Sequence, residues 1–263
     1  MSTPRSNPLA AFSGGAAIGT LGGLIGLGGA EFRLPLLIGL FRFAALEAVI
    51  LNKAMSLIVV ASALVFRTRA VPLAEVAAHG TTVLNLLAGS LIGAWWGAGW
   101  ATRLGADLLY KVIAVMLVAI AVVLLLAHDV TAGAPALSGV VLVMAGLLAG
   151  LVIGVVASVL GVAGGELLIP TLVLLFGIDI KTAGSLSLAV SLPTMLMGFA
   201  RYSRDRSFAV LAKNRGFVLT MALGSVAGAL LGGLLLGLVP NSVLLPMLAA
   251  ILAISAIKVW RHR

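Results

Sequence analysis

Long runs of apolar residues, separated by short polar segments, make up almost the whole chain. A helix that crosses a bilayer needs about 20 apolar residues, and eight runs meet this requirement: about 9–30, 45–66, 77–102, 107–127, 137–162, 182–200, 212–239 and 242–260. Two shorter runs, about 34–43 and 168–178, each follow a cluster of glycines. Because they are too short to span comfortably, we predict half-helices or re-entrant segments there.

Basic residues in the polar segments indicate the orientation of the chain. The densest basic segment covers residues 201–215, and a second basic group, 258–263, ends the chain. Lys and Arg are enriched in cytoplasmic loops, so we predict that both segments, including the C-terminus, are cytoplasmic. The polar start of the chain has no cleavage site after an apolar region, and we expect the first run to be retained.

Composition excludes most soluble classes of protein. Of the 263 residues, 62% are hydrophobic and 10% are charged, whereas soluble chains average about 45–50% apolar and about 25% charged. Some of the surface must therefore face a lipid bilayer, and we predict a multi-pass protein of the inner membrane. The absence of cysteine excludes disulfides and Cys-ligated metals. Basic loops explain the net charge of +9, so we expect no nucleic-acid partner.

The sequence repeats itself at an offset of 135 residues. The most informative matches are Gly29–Gly164, Glu31–Glu166, Pro35–Pro170, Ser56–Ser191, Gly89–Gly224 and Gly93–Gly228. We predict an all-α polytopic membrane protein with two homologous halves, 1–130 and 131–263. Each half has four long transmembrane helices and a short segment that starts at its proline. If the short segment crosses, the repeats are inverted, and if it dips in and out, they are parallel. The charge pattern favours inversion.

The paired Gly-rich motifs predict a substrate site at two interrupted helices. Glycine tolerates conformations that other residues avoid, and proline suits the start of a new helix. Free backbone amides and a positive dipole end favour anion binding. The residues that we expect to line this site through their backbone are Gly28, Gly29, Ala30, Ala163, Gly164 and Gly165. The alternative is that these glycines only allow close helix packing.

Charged residues also lie in or directly after the Gly-rich motifs, namely Glu31, Arg33 and Glu166, and Lys53 lies inside the apolar run 45–66. Charges at membrane depth are costly and normally face a cavity or a partner. We predict that Glu31 and Glu166 carry protons and that Arg33 and Lys53 bind an anion. Two alternatives stay open. Glu31 and Arg33 could form a structural pair, and Lys53 could extend to the membrane surface.

Two further features of the apolar runs are serines near a proline and glycines spaced four residues apart. Ser187 and Ser191 lie near Pro193 in one apolar run, where hydroxyls either bind an oxyanion or replace backbone bonds that the proline removes. Glycines spaced four apart, at 89, 93 and 97 and at 224, 228 and 232, predict close helix packing. The chain has no metal-ligand spacing, phosphate-binding loop or nucleophile elbow. We therefore predict neither an enzyme nor a cofactor or metal site.

At these motifs the chain resembles the sulfite exporter TauE/SafE family of membrane permeases. The resemblance rests on the paired motifs that close on Pro35 and Pro170 and on the Ser-rich stretch from Ala183 to Thr194. It covers essentially the whole chain and implies transport of small anions, chiefly sulfite, thiosulfate or organosulfonates. Glu31 and Glu166 depart from the commoner family pattern, which has apolar residues there.

Together these features predict a proton-coupled secondary transporter that moves a small sulfur-containing oxoanion by alternating access. A second hypothesis is a cation carrier or channel in which Glu31 and Glu166 are the ligands. A third is a membrane scaffold subunit that transports nothing. The oligomeric state is open, with a homodimer as one option.

Overall fold

The computed structural model describes residues 7–25, 29–67, 73–126, 135, 137–234, 250, 253–254 and 256–261. The regular elements within these ranges are helices. They are α1 (Pro8–Ile25), α2 (Ala30–Gly39), α3 (Ala45–Arg67), α4 (Leu73–Ala78), α5 (Gly80–Ala101), α6 (Ala106–Leu126), α7 (Gly139–Leu160), α8 (Gly165–Phe176), α9 (Ile180–Tyr202), α10 (Ala209–Lys213) and α11 (Arg215–Leu234).

Several of these helices have the length and composition of membrane spans. In the described part of the chain, four segments are long and apolar enough to cross a bilayer: Ala45–Leu64, Gly139–Leu160, Thr182–Tyr202 and Arg215–Gly232. Large apolar side chains such as Val140, Leu148 and Leu223 are exposed on their outer faces, as expected for helices that contact lipid. In the described residues, the prediction of an all-helical protein with helices suited to a membrane is confirmed. The last predicted run, 242–260, lies mostly outside the described residues.

The two short helices begin earlier than the sequence predicts. Helix α2 starts at Ala30 and α8 at Gly165, so Pro35 and Pro170 lie inside them. The prediction that the prolines start these helices was therefore wrong. The preceding glycines adopt left-handed conformations and end the interruption. Each proline then removes only one hydrogen bond, the bond to the carbonyl four residues earlier.

Three pairs of helices start at positions that differ by the offset of the sequence repeat, 135 residues. Helices α2 and α8 start at residues 30 and 165, α3 and α9 at 45 and 180, and α5 and α11 at 80 and 215. Each pair is 135 residues apart. The repeat is therefore present in the secondary structure as well as in the pattern of residues.

Helix α1 packs closely against α11, and α5 packs closely against α7. The glycines that face a carbonyl of the partner helix form the pairs Gly15–Met221, Gly19–Ser225, Gly150–Leu86 and Gly154–Ser90. Residue numbers rise together within each pair of helices, so the partners run in the same direction. Compared with the first two contacts, the last two have glycine numbers 135 higher and partner numbers 135 lower, so equivalent residues have exchanged halves. Glycines 89, 93, 97, 224 and 228 also face partner backbone, which confirms for these five the predicted role in packing.

Substitution of Gly228 by alanine tests this packing. A β-carbon at Gly228 would overlap the backbone carbonyl of Ala16, so we expect Gly228→Ala to lower the free energy of unfolding by about 1–3 kcal/mol. The matched control is Gly216→Ala in the same helix, where a β-carbon meets nothing within 4 Å. Thermal unfolding in detergent gives the comparison. Equal melting temperatures for the two variants would contradict the packing argument.

Candidate functional site

The second interruption folds α8 back along α7. Helix α7 ends at Leu160, and Gly161 and Gly164 adopt left-handed conformations with φ of 67° and 82°. A β-carbon on Gly146, near the start of α7, would lie 2.8 Å from Phe176 Cζ at the end of α8. The two helices therefore form a hairpin whose turn is the Gly-rich motif.

The first interruption has the same arrangement. A β-carbon on Gly14 of α1 would lie 3.1 Å from Leu36 near the end of α2, so α2 runs back along α1. Gly29, with φ of 69°, precedes the first residue of α2, Ala30. Gly28, which the sequence places in the substrate site, lies outside the described residues.

Asn52 of α3 connects both interruptions through one buried side chain. Its Nδ2 donates to the carbonyl of Ala30 at 2.9 Å and to the carbonyl of Leu160 at 3.2 Å. Its Oδ1 accepts from Arg33 Nη1 at 3.2 Å. Asn52 was not among the predicted site residues, although an amide in the middle of an apolar run, directly before Lys53, is a usable signal.

The α1–α2 hairpin and the α7–α8 hairpin meet at Asn52, and we call this region the junction. We expect Asn52→Leu to destabilise it. Leucine keeps the size of the side chain but leaves the guanidinium of Arg33 and two carbonyls without this partner. Three such hydrogen bonds contribute about 3 kcal/mol in total. Thermal unfolding checks this value. Asn85→Leu is the control because Asn85 donates only to the carbonyl of Val143 and its Oδ1 has no partner among the described residues. A loss no larger than the control's would contradict the role of Asn52.

Glu31 and Glu166 meet at the start of the two short helices. Each is the second residue of its helix, with exposed fractions of 0% and 2%. Their carboxyl groups lie close enough to form a hydrogen bond with each other, and no donor among the described residues reaches any of the four oxygens. Two carboxylates contain no donor, so this bond requires a proton on one of them. The positive ends of both helices also favour negative charge here.

Arg33 lies two residues further along α2 and faces α3. Its side chain is fully buried, and Nη1 donates to Asn52 Oδ1 and, at 3.1 Å, to Ser56 Oγ. It also lies within electrostatic range of Glu31. Arg33 is therefore held in the same junction as the carboxyl pair.

Lys53 lies next to Asn52 and is also fully buried, with an exposed fraction of 0%. The alternative in which Lys53 extends to the membrane surface does not hold, because the side chain ends between α7 and α9. Its Nζ is 3.4 Å from the carbonyl of Ala157 and 3.4 Å from Ser158 Oγ. In the part of the chain that the structure describes, its hydrogen-bond acceptors are neutral oxygens.

The hydroxyl groups of the two predicted serines, Ser187 and Ser191, donate to backbone carbonyls. Ser191 Oγ donates to the carbonyl of Ala163 at 2.8 Å and so ties α9 to the second interruption. Ser187 Oγ donates to Gly184 within its own helix at 2.9 Å. The structure thus brings together Glu31, Glu166 and the residues around Asn52, whereas no described contact joins Ser187 to them. Among the described residues, no group of three His, Cys, Asp or Glu could hold a metal ion.

Comparisons with known proteins give one match. A family model described as "Sulfite exporter TauE/SafE" matches residues 1–124 and 146–263, which is nearly the whole chain. No curated protein matches the chain, and no solved structure does.

Proposed function

The chain belongs to the sulfite exporter TauE/SafE family, and from this membership we propose that it is a secondary transporter for sulfite, thiosulfate or an organosulfonate. The family implies a multi-pass membrane protein that transports sulfur anions in general. The observation that supports a site in this chain is the full burial of Lys53 beside the paired interruptions, where its described hydrogen-bond acceptors are neutral oxygens. A cation at membrane depth is costly without a partner of opposite charge, and an anionic substrate supplies one.

The carboxyl pair supports proton coupling. Glu31 and Glu166 lie close enough to share a proton, and no described donor bonds to their carboxyl oxygens. A proton on the pair removes one negative charge from the junction that also holds Arg33. Entry of a singly charged anion into the same region restores one negative charge. Joint binding of a proton and an anion therefore keeps the charge of this buried region constant, which favours their transport together.

We also propose that the two halves are inverted repeats that alternate access around the junction. The close contacts are reciprocal, since Gly19–Ser225 corresponds to Gly154–Ser90 at the sequence offset. Lys53, early in α3, lies beside Gly198, late in α9, which supports opposite directions for these equivalent helices. Two homologous halves in opposite orientations rock about a central site in many secondary transporters.

Charge and aromatic contacts support the proposed orientation. Arg201 and Arg204 lie over the ring of Trp95, with guanidinium carbons 5.5 Å and 4.8 Å from its centre. Tryptophan favours the membrane interface, and basic residues favour the cytoplasmic side. We propose that this end of α5 and α9, together with the C-terminus, lies on the cytoplasmic side of the inner membrane.

Flux into proteoliposomes tests the proposed function. We expect purified full-length protein to take up labelled sulfite, thiosulfate or methanesulfonate, and to do so faster when a pH gradient drives protons in the same direction. Protein-free liposomes measure leakage. No uptake of any of these anions above leakage would contradict the proposal.

A cation carrier is the second candidate because four buried carboxyl oxygens without donors are also suitable cation ligands. Labelled sodium uptake distinguishes the two functions. Substitution of Glu31 and Glu166 by glutamine should remove cation binding itself if the cation is the substrate. For an anion transporter it should remove only the response to pH.

A further inference from the structure

The ammonium group of Lys53 lies where α3, α7 and α9 meet. The described residues give its N–H groups only long hydrogen bonds. An ammonium has three N–H donors, and charge-assisted bonds are typically about 2.7–2.9 Å long. The two acceptors of Lys53, the carbonyl of Ala157 and Ser158 Oγ, are both 3.4 Å away. The group therefore has donor capacity that the described residues do not satisfy.

Ser158 places a second donor beside this ammonium. Its side chain is fully buried, and its Oγ accepts from Lys53. No described residue accepts the hydroxyl proton of Ser158. The backbone at this point is held in place, since the carbonyl of Ser158 accepts from the buried Tyr202 hydroxyl at 2.9 Å. An N–H donor from α3 and an O–H donor from α7 thus lie together, beside a carbonyl that Tyr202 holds.

Gly198 of α9 is the residue that both donors face. A β-carbon there would lie 2.7 Å from Ser158 Oγ and 2.8 Å from Lys53 Nζ. Any larger residue would displace one of the two groups. The absence of a side chain at this position is therefore required for the donors to stay side by side.

The charge at this point differs from the charge around Arg33. Arg33 lies within electrostatic range of Glu31, whereas the acceptors of Lys53 are neutral. One positive charge is therefore without a described counter-charge, and its burial is costly until an anion binds. The positive helix ends nearby already face the chain's own carboxyl groups, Glu31 and Glu166.

We propose that Lys53 Nζ and Ser158 Oγ, opposite Gly198, form an oxyanion subsite that takes a ligand of one net negative charge. The ligand class is a sulfonate or hydrogen sulfite, in preference to a doubly charged anion such as sulfate or thiosulfate. This assignment rests on the proposed function and names the substrate class within it. It also adds Ser158 and Gly198 to the residues that determine specificity.

Calorimetric titration of the purified full-length protein in detergent tests the subsite. Methanesulfonate is the singly charged probe and sulfate the doubly charged one, and we expect methanesulfonate to bind more tightly. Ser158→Ala should weaken methanesulfonate binding about ten-fold, because it removes one hydrogen bond to a charged group. Gly198→Ala should weaken it at least as much. The matched control is Ser62→Ala, where an exposed hydroxyl bonds only within α3.

Three results would separate the possible failures. Binding of methanesulfonate at the wild-type level by both Ser158→Ala and Gly198→Ala would overturn the subsite, and sulfate that binds as tightly as methanesulfonate would overturn the charge assignment. If wild-type protein neither binds nor transports any sulfur anion, the proposed function itself fails. If Gly198→Ala does not fold, Ser158→Ala alone decides the question, since it removes one atom from a buried position.

Discussion

Lys53→Met is expected to lower anion transport about 100-fold and, at the same time, to raise the melting temperature. Methionine keeps the length and apolar stem of lysine but removes the buried positive charge. Loss of a charged interaction with the substrate accounts for a factor of this size. A buried cation with only neutral acceptors destabilises the substrate-free protein, so its removal is stabilising. Methanesulfonate flux and thermal unfolding of the same preparation measure both effects.

The combination of the two effects distinguishes a substrate-binding lysine from a structural one. A lysine that held α3 to α7 would lose stability on substitution, with transport reduced only because less protein folds. The matched control is Lys213→Met, which removes an exposed lysine at the end of α10 and should change neither quantity. Wild-type transport by Lys53→Met would remove this residue from the site.

Glu166→Gln and Glu31→Gln are each expected to abolish the effect of a pH gradient on anion flux. Glutamine has nearly the shape of a protonated glutamate but cannot release a proton. Because the two carboxyl groups lie close enough to share a proton, loss of either should disable the pair. The ratio of flux with a gradient to flux without one should therefore fall to about one in both variants. Flux in proteoliposomes over a series of imposed gradients measures that ratio.

The double variant sharpens this test. Residues that act as one unit are strongly non-additive, so Glu31→Gln with Glu166→Gln should behave like either single variant. The matched control is Glu47→Gln in the first turn of α3, which should keep the full response to pH. Retention of coupling by one single variant would show that the other carboxyl carries the proton alone.

The sequence by itself determined the class of the fold and most of its helices. The long apolar runs coincide with α1, α3, α5, α6, α7, α9 and α11 within a few residues. These features are local or periodic, because a membrane helix needs about twenty apolar residues and glycine tolerates the conformations at which a helix is interrupted. The repeat and the family follow from the same pattern, since both depend on residue types at fixed spacing.

Only the tertiary structure decided which polar groups meet inside the membrane. Glu31 and Glu166 are 135 positions apart in the chain, and neither residue alone indicates that the other is its neighbour. The partners of Asn52 cannot be read from the sequence either, because one of them is the carbonyl of Leu160, 108 positions away. The bilayer interior offers no water to satisfy such groups. Their partners, and hence the chemistry of the site, are therefore set by how the two hairpins pack against α3 and α9.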